Sequence, residues 1–218
     1  MAFFSRAFIK QHPLGAYLTV WALSVGIVAL ELFGAGVSGS HALLADVGHV
    51  ISDTLLALVP VAALLFARLG ASYSRAAFWA SLAAVAILAY VGFHVGSEAL
   101  EVLAGGEHHE HEVDGIALFV FSGIAALANL VQHRLLSRID PEHHHGAHKG
   151  LHFHVLMDLV KNIALPVLGI GIALAIIPDH ADLWAALVIA ALLIIRAMLL
   201  LYATLMPKRD AHHGHEHA

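Results

Sequence analysis

Residues 42–67 read ALLADVGHVISDTLLALVPVAALLFA, and how this stretch is read decides the fold. No lysine or arginine interrupts it, and its only ionisable side chains are Asp46, His49 and Asp53. A run of about 20 apolar residues matches the hydrocarbon thickness of a bilayer when helical. Working outward, five further stretches have the same character: Ala16–Val37, Ala76–Leu100, Val113–Leu136, Leu151–Ile177 and Leu183–Met206. Breakers and polar residues separate them, among them Ser38-Gly39-Ser40, Gly105-Gly106, Asp140-Pro141 and Pro178-Asp179. The expectation is an all-α membrane protein with six transmembrane helices.

Composition agrees. Of 218 residues, 60% are hydrophobic and 12% charged, too few charges to cover a soluble domain of this size. The mean hydropathy is +0.81. Arg6, Lys10, Arg68, Arg75, Arg134, Arg138, Lys149, Lys208 and Arg209 all fall where an even number of spans puts them on one side. The opposite connections hold Glu107, Glu110, Glu112, Asp114, Asp179 and Asp182, and no Lys or Arg. The positive-inside rule then makes both termini cytoplasmic. Residues 1–207 form one transport domain with a His-rich cytoplasmic loop at 140–150. Residues 208–218 are read as a His-rich cytoplasmic tail, with no soluble C-terminal domain. No basic stripe suggests nucleic acid as a partner; the lipid bilayer is the first partner.

An ionisable side chain at mid-bilayer costs about 2.5–3.5 kcal/mol even on the gentler scales, so each one asks for a reason. The second span carries His49 and Asp53; the fifth carries His154 and Asp158. At about 100° per residue, positions i and i+4 share a helix face, so each pair presents a nitrogen and a carboxylate together. The two spans run in opposite directions and can place two imidazoles and two carboxylates around one point. That is a closed tetrahedral shell with bonds of about 2.0–2.2 Å, suited to zinc. With no cysteine in the chain, thiolate ligands are excluded. One such pair could be a satisfied core histidine; two on antiparallel spans are much harder to explain that way.

The stretch from Ser38 to Asp53, together with His154-Val155-Leu156-Met157-Asp158, resembles the cation diffusion facilitator family. Glu31, Glu98 and Asn129 stand where such proteins often carry polar residues. The resemblance implies Zn²⁺ or Cd²⁺ as the transported ion, Co²⁺ and Ni²⁺ not being excluded, and implies a homodimer. It points to a bacterial inner (plasma) membrane. Members usually continue into a cytoplasmic metal-sensing domain, which is not expected here because the chain stops at Ala218.

Two carboxylates and two neutral imidazoles carry a charge of −2, which one divalent ion cancels. Free imidazole titrates near 6.5, so protons can replace the metal as it leaves. The expectation is efflux by proton-coupled antiport with alternating access, H⁺ being the counter-ion and no cofactor being needed. Metal loads from the cytoplasm and leaves outward. A membrane-embedded zinc hydrolase is the first alternative, but a catalytic zinc keeps an open position and no HExxH occurs. The second is a metal-buffering membrane protein that moves nothing. A transporter, not an enzyme, is the preferred reading.

Other residues fit around this core. Asp46 and Lys161 each lie one turn outward of the site on facing spans and are read as an ion-paired gate or second shell. His143, His144, His145, His148 and His152 form a capture loop that delivers metal toward His154 and Asp158. Arg196 is read as snorkelling to the cytoplasmic interface. His94 and Glu98 are read as an interfacial polar pair, with a second metal contact as the lesser alternative.

Overall fold

The computed structural model describes residues 13–66, 73–105, 112–136 and 163–206. Within them are six helices: α1 (Pro13–Ser38), α2 (His41–Phe66), α3 (Tyr73–Leu103), α4 (Gly115–Leu136), α5 (Ile163–Ala173) and α6 (His180–Leu205). No strand occurs among the described residues, and the chain is all-α. Four helices contain segments long and apolar enough to cross a membrane: Leu18–Ser38, Phe78–Leu103, Gly115–Leu135 and His180–Leu205. Large apolar side chains cover the outer surface; Leu32, Phe33, Phe93, Ile116, Leu127 and Met198 are each more than half exposed. Soluble proteins rarely show so much contiguous apolar surface, whereas lipid tails solvate it.

Helix α2 sits at the centre, packed on α1, α3 and α6, with α3 and α6 also in extended contact and α1 against α4. The main core joins Leu43 of α2, Leu88 and Val95 of α3, Leu118 of α4 and Leu183 and Leu193 of α6. A smaller cluster of Ile27, Val50 and Ala125 ties α1, α2 and α4 together. Helix α5 reaches the bundle through glycine. A Cβ on Gly169 would lie 2.6 Å from the Phe119 backbone nitrogen and 2.9 Å from the Gly115 carbonyl oxygen, so the α4 and α5 backbones meet directly. Small residues of this kind let helices associate in lipid, where no hydrophobic force drives them together. Polar glue does the same between α4 and α1. Buried Gln132 donates from Nε2 to the Val20 carbonyl at 3.0 Å and to Ser24 Oγ at 2.9 Å.

Local chemistry explains where the helices begin and end. Asp114 caps α4, its Oδ1 accepting from the Ile116 and Ala117 amides at 3.0 Å each. Helix α5 stops at Ala173, short of the Ile177 expected from hydropathy. Ala175 takes a positive φ of 54°, and the Ile176 and Ile177 amides both fold back to the Gly171 carbonyl at 3.0 Å. A left-handed residue ends a helix however apolar the next residues are.

Candidate metal site

The N-terminus of α2 is held by another helix. Ser40 caps it, accepting the Leu43 amide on Oγ at 3.0 Å. The same hydroxyl donates to Asp182 Oδ1 at 2.5 Å, while Asp182 Oδ2 accepts the His41 amide at 2.7 Å and the Ala42 amide at 3.3 Å. The Ser40 amide donates to Ser38 Oγ at 3.3 Å. All four amides that a helix start leaves without intrahelical partners are thereby satisfied, with a carboxylate at the positive end of the helix dipole. Asp182 belongs to the first turn of α6 and is fully buried. This corrects its assignment to an outer connection, because α6 begins at His180 and not at Leu183.

Along α2 from this anchored end, His49 follows His41 by two turns, about 12 Å along the axis. Gly48 beside it faces α3; a Cβ there would meet Val91 Cγ1 at 2.4 Å, so the glycine sets how closely α3 approaches. His49 and Asp46 are both buried. His49 Nε2 stands 3.3 Å from Asp53 Oδ2, one turn further on. A tetrahedral ion with bonds of about 2.0–2.1 Å has a ligand-to-ligand edge of about 3.4 Å. The separation of the pair is close to one edge of a zinc shell.

Arg196 of α6 closes on the same atoms. Its Nη2 donates to Asp53 Oδ1 at 2.5 Å, and its Nη1 lies 2.6 Å from His49 Nδ1 and 3.0 Å from Nε2. The Arg196 side chain is 23% exposed and that of Asp53 15%. This overturns the snorkelling reading of Arg196. The depth of the residue was the overlooked signal: it precedes Leu205 by nine residues, about 14 Å along a helix, further than a guanidinium can reach.

Among the described residues, no three metal-ligating side chains gather at one point. Of the four expected ligands, the described residues include His49 and Asp53. The expected other half, His154 and Asp158, lies outside the described residues, as do Lys161 and the capture loop of His143, His144, His145, His148 and His152. Glu31 and Asn129 are buried within the bundle. His94 is exposed and stacks on Tyr90 with ring centroids 5.8 Å apart.

Comparison with known proteins adds to this geometry. Residues 18–206 match the cation efflux transmembrane domain. Zinc transporter ttm-1 of Caenorhabditis elegans is 29% identical over 176 residues, which cover 78% of this chain and 42% of that protein. Zinc transporter ZitB of Escherichia coli is 30% identical over 168 residues, covering 67% of this chain and 47% of the transporter; its Shigella flexneri counterpart gives the same figures. The chain thus spans about half the length of the curated relatives it matches. With a match across almost the whole helical bundle, the chain belongs to the cation efflux, or cation diffusion facilitator, family.

Proposed function

We propose that this chain carries a divalent transition metal, Zn²⁺ first and Cd²⁺ next, across a membrane in exchange for protons. It is a transporter, not an enzyme. The observation that carries this reading is the His49–Asp53 pair, set at zinc-ligand spacing on a buried face of the central helix. Two relatives named as zinc transporters support the choice of metal. His154 and Asp158 complete the shell in this reading, giving two imidazoles and two carboxylates around one ion. Asp46 and Lys161 act as the gate outward of it, and His143, His144, His145, His148 and His152 gather metal on the cytoplasmic side.

The charge of that shell sets the exchange. Arg196 on Asp53 offsets one of its two negative charges, and the one left without a counter-ion when metal departs is costly enough that a proton must replace the metal. Alternating access then loads metal from the cytoplasm and releases it outward against incoming protons. A homodimer in a bacterial plasma membrane belongs to the same reading.

The test is zinc flux into proteoliposomes with and without a pH gradient. Asp53→Ala and Asp158→Ala should each lower the initial rate by more than about a hundredfold, whereas deleting 140–150 should only raise the zinc concentration needed. Flux indifferent to a pH gradient would remove the antiport. Flux lost only on deleting the histidine loop would turn the protein into a buffer.

A further inference from the structure

We propose that Arg196 is a tethered cation that competes with the metal for its ligands, so that metal enters only by displacing the guanidinium. This rests on the reading of His49 and Asp53 as metal ligands. The atoms in question are the same ones. Asp53 Oδ1 accepts from Nη2 at 2.5 Å, and Nη1 lies against the His49 ring, 2.6 Å from Nδ1 and 3.0 Å from Nε2, the nitrogen that stands 3.3 Å from Asp53 Oδ2. A metal bonded to Nε2 and a carboxylate oxygen would stand against the guanidinium. Two positive centres at that distance, away from water, repel strongly. Arginine cannot relieve this by losing its proton. It has to move.

The surroundings permit that movement. The Arg196 side chain as a whole is partly exposed, so it is not packed on all sides, and it has four rotatable bonds. Displacement also has a consequence for the fold. Helices α2 and α6 pack against each other, and Arg196 is a polar link across their middle. Metal arriving at His49 and Asp53 dissolves that link, while the Asp182 bonds at the α2 N-terminus stay. Helix α6 is thereby freed at one level and pinned at the other, which is what a helix that pivots during transport requires. After metal leaves, Arg196 returns to Asp53 and hinders rebinding by occupying the vacated ligands.

The experiment uses the full chain in lipid nanodiscs and proteoliposomes, with Zn²⁺ as the probe at one fixed pH. Equilibrium binding and the KM and kcat of flux are measured for the parent chain, Arg196→Leu, Arg196→Lys and Asp53→Ala. A competitor that holds the ligands about nine-tenths of the time weakens apparent affinity about tenfold. Arg196→Leu should therefore bind zinc about tenfold more tightly, with KM and kcat both falling. Arg196→Lys keeps the charge but not the two-pronged grip, and should bind about threefold more tightly. A merely structural arginine would give unchanged or weaker binding on removal, and that result in folded Arg196→Leu overturns the proposal. Should Arg196→Leu fail to fold, Arg196→Lys decides it: zinc binding no tighter than in the parent chain overturns it. Loss of binding in Asp53→Ala, beside tighter binding in either Arg196 variant, supports it. Parent-like zinc binding by Asp53→Ala instead removes the ligand assignment, and the competition with it.

Discussion

Helices α2 and α6 are joined by two carboxylate contacts of opposite character. At the start of α2, Asp182 reaches over from α6 and binds the Ser40 hydroxyl and two backbone amides. In the middle of α2 the direction reverses, and Asp53 receives the guanidinium of Arg196. The first contact is fully buried, uses a short side chain and ends on backbone that cannot move without unwinding α2. The second is partly exposed and joins two side chains, one of them long. The first suits permanence and the second exchange. Both use an aspartate on an otherwise apolar interface, so residue type alone does not tell a structural acid from a functional one. What each oxygen touches does.

The sharpest way to break this comparison is to remove the permanent contact. Asp182→Ala leaves the Ser40 hydroxyl and the His41 and Ala42 amides without their acceptor inside the bundle. It should lower stability by about 3–5 kcal/mol, read from unfolding in a single detergent. Metal binding per folded molecule should stay close to the parent value, because His49 lies two turns away. Next in size is Ser40→Ala, which removes the cap and one of the three donors to Asp182. A loss of about 1–2 kcal/mol is expected, again without loss of metal binding. Smallest in stability is Asp53→Asn, which keeps a side-chain oxygen to accept from Arg196, so unfolding should shift by only about 1 kcal/mol. The same variant should abolish zinc flux. If Asp53→Asn destabilised the fold as much as Asp182→Ala, the distinction between anchor and exchange site would fall.

Much of this was legible in the one-dimensional pattern. Six apolar stretches placed six helices, with boundaries off by a few residues where capping chemistry outweighs hydropathy. Asp114 starts α4 two residues later than the apolar run does, and the left-handed Ala175 ends α5 early. The i, i+4 spacing of His49 and Asp53 put both on one helix face, within reach of each other. Arg196 and Asp182 were not legible in the same way. Both lie far along the chain from what they touch, 143 residues in the pair with Asp53 and 141 in the bond to His41. No local periodicity encodes which helix stands opposite.

The sequence alone therefore determined the class of molecule and the helix face shared by His49 and Asp53, because membrane thickness and the helical repeat act on neighbouring residues. The tertiary structure decided the roles of the two α6 side chains. Packing α6 against α2 is a property of the whole bundle, and only that packing brings Asp182 onto the α2 amides and Arg196 onto Asp53 and His49.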